Sequence, residues 1–125
     1  MGLNTTGIDH PAIAVKDIHE MVKWYCDVLN YEVECQMDPP VYLLKAADGS
    51  FIEIMPIDEM QRPKRTTRTP GWSHLAIRVE NMDSAIEFLD TKSVVWISDV
   101  VDPVGGGKLR SFEDPEGNMW QIVER

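Results

Sequence analysis

His10-Pro11-Ala12-Ile13-Ala14-Val15-Lys16-Asp17 recurs 64 residues later as His74-Leu75-Ala76-Ile77-Arg78-Val79-Glu80-Asn81. The His, Ala, Ile and Val fall at the same offsets in both copies. Each copy alternates as a half-buried strand does, then meets Asp17 or Asn81, side chains that start helices by accepting an unpaired backbone N–H. After Asp17, the residues Ile18, Met21, Val22 and Tyr25 follow at helical spacing. After Asn81, Met82, Ala85, Ile86 and Leu89 do the same. A strand followed by an amphipathic helix therefore occurs twice.

Working outward, strand-like runs follow in each half. The first half predicts strands over 31–37, 41–46 and 51–56, broken by Asp38-Pro39-Pro40 and Asp48-Gly49. The second predicts them over 93–101, 108–113 and 118–124, broken by Gly105-Gly106-Gly107 and Asp114-Pro115-Glu116-Gly117. The last strands also correspond, with Glu53 four residues after Gly49 and Gln121 four after Gly117. The reading is α+β, a single domain over 1–125 made of two tandem βαβββ modules. Module one covers 1–57 and module two 71–125, joined by a polar linker over 58–70.

Strand alternation then sorts the side chains by face. His10, Ala12 and Ala14 share one side, as do His74, Ala76 and Arg78, while Ile13, Val15, Ile77 and Val79 take the other, toward the helices. Glu53 lies between Phe51 and Met55, with Ile52 and Ile54 opposite. Gln121 lies between Met119 and Val123, with Trp120 and Ile122 opposite. Four polar groups thus hold matching places on the faces away from the helices. Two imidazoles, a carboxylate and a carboxamide suit a divalent metal of mixed nitrogen and oxygen preference. The plainer alternative is that His10 and His74 only cap strand starts or hydrogen-bond in the core; the in-register repeat favours the metal. His19, on the first helix beside Glu20, is read as solvated.

Composition narrows the classes. Hydrophobic residues are 43% of the 125 and charged residues 26%, a globular balance in a chain long enough to bury a core without disulfides. The charge of −9 repels phosphate backbones, so nucleic-acid binding is excluded as the main task. No apolar run approaches the roughly 18 residues of a membrane span, and no basic-then-apolar leader opens the sequence. Cys26 and Cys35 make no disulfide framework, so the expected compartment is the cytoplasm. Met1-Gly2-Leu3-Asn4-Thr5-Thr6 fits the loose myristoylation pattern and contains a glycosylation sequon, but nothing else supports lipidation or secretion. Gly105-Gly106-Gly107-Lys108 is no phosphate loop, because Leu109 stands where a magnesium-binding hydroxyl belongs.

Arg62, Lys64, Arg65 and Arg68 gather on the linker, where they read either as a solvated loop or as a receiver of a carboxylate or phosphate. Lys108, Arg110 and Phe112, and likewise Tyr42 and Leu44, share strand faces and are read either as cavity lining or as ordinary sheet packing. Trp24, Tyr25 and Trp96 are read as core.

At Ile8-Asp9-His10 with Val15-Lys16-Asp17, at Ser73-His74-Leu75-Ala76, and from the glycine run through Phe112-Glu113-Asp114-Pro115-Glu116-Gly117-Asn118, the sequence resembles the vicinal oxygen chelate superfamily. That group includes glyoxalase I, bleomycin-resistance proteins, extradiol dioxygenases, methylmalonyl-CoA epimerases and fosfomycin-resistance thiol transferases. The resemblance covers nearly the whole chain. It implies paired modules forming U-shaped mixed sheets around a metal-binding cavity, with ligands at His10, Glu53, His74 and Gln121. Glyoxalases of bacterial type usually carry Glu at the position of Gln121, and Glu124 faces the other side of its strand. The remaining set carries one negative charge against the metal's two, which favours Lewis-acid polarisation of a substrate oxygen.

The resemblance implies a glyoxalase-like lyase or isomerase that moves a proton on a small, oxygen-chelating, anionic substrate, with Glu53 as ligand and catalytic base. The cofactor expected is a divalent transition metal from among Ni, Co, Zn, Mn and Fe(II). Two alternatives stand beside this: a bleomycin-resistance-type protein that sequesters a ligand without chemistry, and an Fe(II) extradiol-type dioxygenase. Family members of this length dimerise, so a homodimer is expected. Glutathione dependence is supported by no residue.

Overall fold

In the computed structural model, which describes residues 2–125, each octapeptide opens a βαβββ module. Met1, the first residue of the myristoylation pattern, lies outside the described residues. The first module runs β1 (Ala12–Val15), α1 (Ile18–Leu29), β2 (Glu32–Met37), β3 (Val41–Lys45) and β4 (Phe51–Pro56). The second runs β5 (Leu75–Arg78), α2 (Met82–Thr91), β6 (Val95–Trp96), β7 (Lys108–Glu113) and β8 (Met119–Glu124). The chain divides after Glu59 into two compact units, each holding one mixed four-stranded sheet and one helix. The strand orders are β1-β4-β3-β2 and β5-β8-β7-β6. In both, the first strand runs parallel to the last, and the remaining pairs are antiparallel.

Local chemistry starts and stops the helices as the sequence requires. The Asp17 carboxylate accepts the Glu20 N–H at 3.3 Å, and Asn30 ends α1 in the left-handed region at φ 59°. The Asn81 side chain accepts the Ser84 N–H at 2.8 Å at the start of α2. Asn81→Ala should cost about 1 kcal/mol, seen as a lower urea midpoint with an unchanged slope. Glu124 adds its carboxylate at the same helix start, accepting the Met82 N–H, where a negative charge also suits the helix dipole. That places Glu124 toward the helix, opposite Gln121.

Each core lies between its helix and one sheet face. In unit one Met21, Val22 and Tyr25 of α1 are buried, with Val15, Leu44, Ile52 and Ile54. In unit two Met82 and Leu89 are buried, with Phe112, Trp120 and Ile122. Register explains the choice: Tyr42 pairs with Ile54, Leu44 with Ile52, and Phe112 with Trp120. Tyr42, Leu44 and Phe112 therefore belong to the packed face, and Lys108 and Arg110 share the face of Phe112. Sheet packing, not cavity lining, accounts for Tyr42, Leu44 and Phe112, while Lys108 is exposed. Trp24 and Trp96 are only half-buried, unlike Tyr25.

One expected strand is cut short. The run over 93–101 is a ladder only at Val95–Trp96, with an isolated bridge between Val101 and Leu109. Between them the Ser98 hydroxyl accepts the Ser111 N–H at 2.9 Å, and the Ser98 carbonyl accepts from Arg110 Nε at 3.0 Å. The segment stays beside β7, but side chains replace part of the backbone ladder. Among the described residues, no helix is long and apolar enough to cross a membrane.

Candidate metal centre

Parallel pairing of β1 with β4 sets Ala12 opposite Glu53, and the Glu53 N–H donates to the Pro11 carbonyl at 3.0 Å. The chain just before β1 thus continues along β4. His10 lies there, two residues ahead of the strand, with Nε2 at 3.0 Å from Glu53 Oε2. On the other side of the ring, Nδ1 is 2.7 Å from Asp9 Oδ2. The His10 and Glu53 side chains are 35% and 28% exposed, so the pair is half-desolvated at the sheet end.

The hydrogen bond to Asp9 is the largest effect on the His10 proton; desolvation opposes it, and the charges of Asp9 and Glu53 add to it, so that the proton is held above the ordinary histidine range. The charged ring is favoured by the fold, so its contribution is complete below about pH 6.5. It is lost as pH rises through the higher native value. In metal-free protein the His10 ring should titrate above about 6.5 by NMR, and Asp9→Asn should bring it down. An unchanged titration in Asp9→Asn would assign the effect to Glu53 instead.

Unit two repeats the register. Ala76 pairs with Gln121 as Ala12 does with Glu53, and Ser111 pairs with Gln121 from the other side. The Gln121 amide is buried, and its Nε2 donates to Ser111 Oγ at 3.2 Å. His74 immediately precedes β5 and is exposed, with Nδ1 at 2.9 Å from Ser73 Oγ. The structure thus brings His10 and Glu53 into contact, whereas His74 and Gln121 are each bonded to a serine. Among the described residues, no group of three or more His, Cys, Asp and Glu comes together as a cation cluster.

The donor pair in unit one fits a transition metal. Two ligand atoms bound at about 2.1 Å and at right angles to each other are about 3.0 Å apart. His10 Nε2 and Glu53 Oε2 stand at that separation, 3.0 Å. An imidazole nitrogen and a carboxylate oxygen are also the mixed donors that Zn, Ni, Co, Mn and Fe(II) accept.

Other side chains sort into structural and available groups. Arg65 is committed to its loop, donating to the Trp72 carbonyl at 2.8 Å and to those of Thr69 and Pro70 at longer range. Arg68, by contrast, lines an open depression of about 400 Å³ together with Thr67, Ser73, His74 and Met119. Of the four linker cations, Arg68 therefore shares a recess with a repeated histidine. His19 is not merely solvated: its Nδ1 lies 3.2 Å from the Tyr42 hydroxyl, with the rings edge to face. Burial pushes the Cys26 thiol up, away from nucleophilic use. The buried Asp114 is occupied by its own turn, accepting from the backbone of Glu116 and Asn118 and from the Asn118 amide. The partners of the donor residues, Asp9, Ser73 and Ser111, carry no periodic signal. Only the polar residue directly before each repeated histidine pointed to two of them.

Comparisons with known proteins bear on the fold. The model of the Glyoxalase/Bleomycin resistance protein/Dioxygenase superfamily matches residues 7–122. The uncharacterized protein YaeR of Escherichia coli is 27% identical over 128 positions, spanning 94% of this chain and 95% of that protein. A glyoxylase/bleomycin resistance protein/dioxygenase domain from Frankia superposes with a TM-score of 0.80 at 19% identity, covering 97% of this chain and 93% of that one. The fosfomycin resistance protein FosX of Listeria monocytogenes, solved with Mn(II) and sulfate, gives a TM-score of 0.73 at 21% identity, over 96% of this chain and 90% of that one. At these identities the two structures establish the shared fold.

Proposed function

Because the chain belongs to the glyoxalase/bleomycin resistance protein/dioxygenase superfamily, we propose that it is a metal-dependent, glyoxalase-like enzyme that moves a proton on a small, oxygen-chelating, anionic substrate. Its metal ligands in this reading are His10, Glu53, His74 and Gln121. The observation that carries it is the 3.0 Å contact of His10 Nε2 with Glu53 Oε2. The equivalent register of Gln121 in unit two and the Mn(II) of FosX add support.

When bound, the cation supplies Lewis-acid polarisation of adjacent substrate oxygens, which acidifies the carbon beside them. The protein supplies the rest. Glu53 would hold the metal through Oε2, the oxygen that faces His10 Nε2, and Oε1 would be the oxygen that takes the carbon-bound proton and returns it. Within unit two, Arg68 shares its recess with Thr67, Ser73 and His74 and is the linker cation this reading assigns to an anionic group. A local cation matters here because the protein's charge of −9 repels an anion at longer range.

The test is elemental analysis of protein purified without chelator, alongside His74→Ala. About one equivalent of transition metal per chain is expected, falling well below that in the variant. Protein that carries no metal, and takes up none from Ni, Co, Zn, Mn or Fe(II), would overturn this reading. A ligand-sequestering protein would then be the better account.

A further inference from the structure

The residue directly before each repeated histidine bonds the same atom of the ring. Asp9 Oδ2 is 2.7 Å from His10 Nδ1, and Ser73 Oγ is 2.9 Å from His74 Nδ1. The two contacts lie in different units and arise from different side chains, so they are independent instances of one arrangement. We infer that Asp9 and Ser73 are positioning residues that keep the proton of each ring on Nδ1, so that Nε2 is the nitrogen His10 and His74 offer to a metal.

The argument is one of donor and acceptor inventory. A neutral imidazole has one N–H and one lone pair, and the bond made by one nitrogen decides the role of the other. The Asp9 carboxylate only accepts, so Nδ1 must carry the hydrogen of the 2.7 Å bond. Glu53 competes for the ring from the opposite side, at 3.0 Å from Nε2. Asp9 is the nearer acceptor, and a cation at Nε2 would remove the competition by drawing both Nε2 and Glu53 to itself. The Ser73 hydroxyl can accept the Nδ1–H of His74 but can also donate, so it steers that ring more weakly. Being neutral, it also adds no charge to it. The two halves therefore differ in strength: Asp9 makes His10 the more basic ligand, and Ser73 only orients His74. Partners of this kind typically change metal affinity by about 10–100-fold.

This inference rests on the metal reading for its purpose but not for its first test. Long-range ¹⁵N–¹H spectra of the metal-free protein, recorded at a pH where both rings are neutral, should show the Nδ1–H form at His10 and His74. Asp9→Ala should change the His10 pattern alone, Ser73→Ala the His74 pattern alone, and Ser73→Thr should restore the latter. Zinc affinity, measured by competition with a chromophoric chelator, should fall about 10–100-fold in Asp9→Ala and less in Ser73→Ala. An Nε2–H form at His10 in the wild type would overturn the inference, whatever zinc does. Equal zinc affinity in wild type and Asp9→Ala would overturn it too. Nδ1–H at both rings with no zinc uptake would leave the ring assignment standing and overturn the metal reading instead.

Discussion

A Gly107→Ala variant is expected to lose about 3 kcal/mol or more of stability, the sum of backbone strain and overpacking. Gly107 has φ +100°, a conformation L side chains rarely adopt. A Cβ there would meet the Glu124 carbonyl oxygen at 2.0 Å, the Glu124 carbonyl carbon at 3.1 Å and the Arg125 Cα at 3.3 Å. All three are backbone atoms at the end of β8, and Lys108 pairs with Glu124 in the neighbouring rung. Relief would require opening the β7–β8 ladder at the strand that carries Gln121. Gly106 is the internal control, since its φ is +87° but nothing lies within 4 Å of its Cβ direction. Gly106→Ala should cost only the strain, of order 1–3 kcal/mol. Urea unfolding of both variants decides the matter: equal losses would mean the contact at Gly107 is relieved elsewhere.

Glu53→Gln is expected to weaken transition-metal binding by more than about 100-fold, beyond the range seen when a ligand's supporting partner is lost. The substitution keeps the side chain's length and removes its charge. The proposed donor set would then hold two imidazoles and two carboxamides, with nothing to neutralise a divalent cation. Turnover should fall at least as far, because the same change removes the base. The reciprocal Gln121→Glu should tighten metal binding by adding a second carboxylate in the equivalent register. Isothermal titration with Zn, Ni and Mn across the three proteins tests both. Glu53→Gln binding metal as the wild type does would remove Glu53 from the ligand set.

The octapeptide repeat was enough to read the module order, both helix starts and the faces of β4 and β8. Those features follow from short-range periodicity and capping chemistry, which a sequence displays directly. What stayed hidden depended on side chains replacing backbone partners. Ser98 lies in an apolar run that looks like continuous strand, yet its hydroxyl takes the Ser111 N–H and breaks the ladder. Arg65 and Arg68 look equivalent on the linker, and only tertiary placement separates a loop clamp from a residue facing a recess. Tyr42, Leu44 and Phe112 were ambiguous because alternation gives two faces without saying which one a helix covers. The candidate site was half legible. Its donor types and their matching registers could be read, but not the bonds of Asp9, Ser73 and Ser111: a polar residue directly before each histidine does not say which ring atom it meets, and Ser111 has no such signal at all.

The registers of the two sheets separate what holds the strands together from what the strands present. Ile13 pairs with Ile54 and Ile77 with Ile122, and these isoleucines anchor the pairing of first and last strands in each unit. The next position along, opposite Ala12 or Ala76, holds Glu53 in one unit and Gln121 in the other. One backbone slot thus accepts an anionic or a neutral side chain with the pairing unchanged. Divergence within such a duplicated scaffold can therefore retune reactivity at a single codon while the architecture is inherited intact.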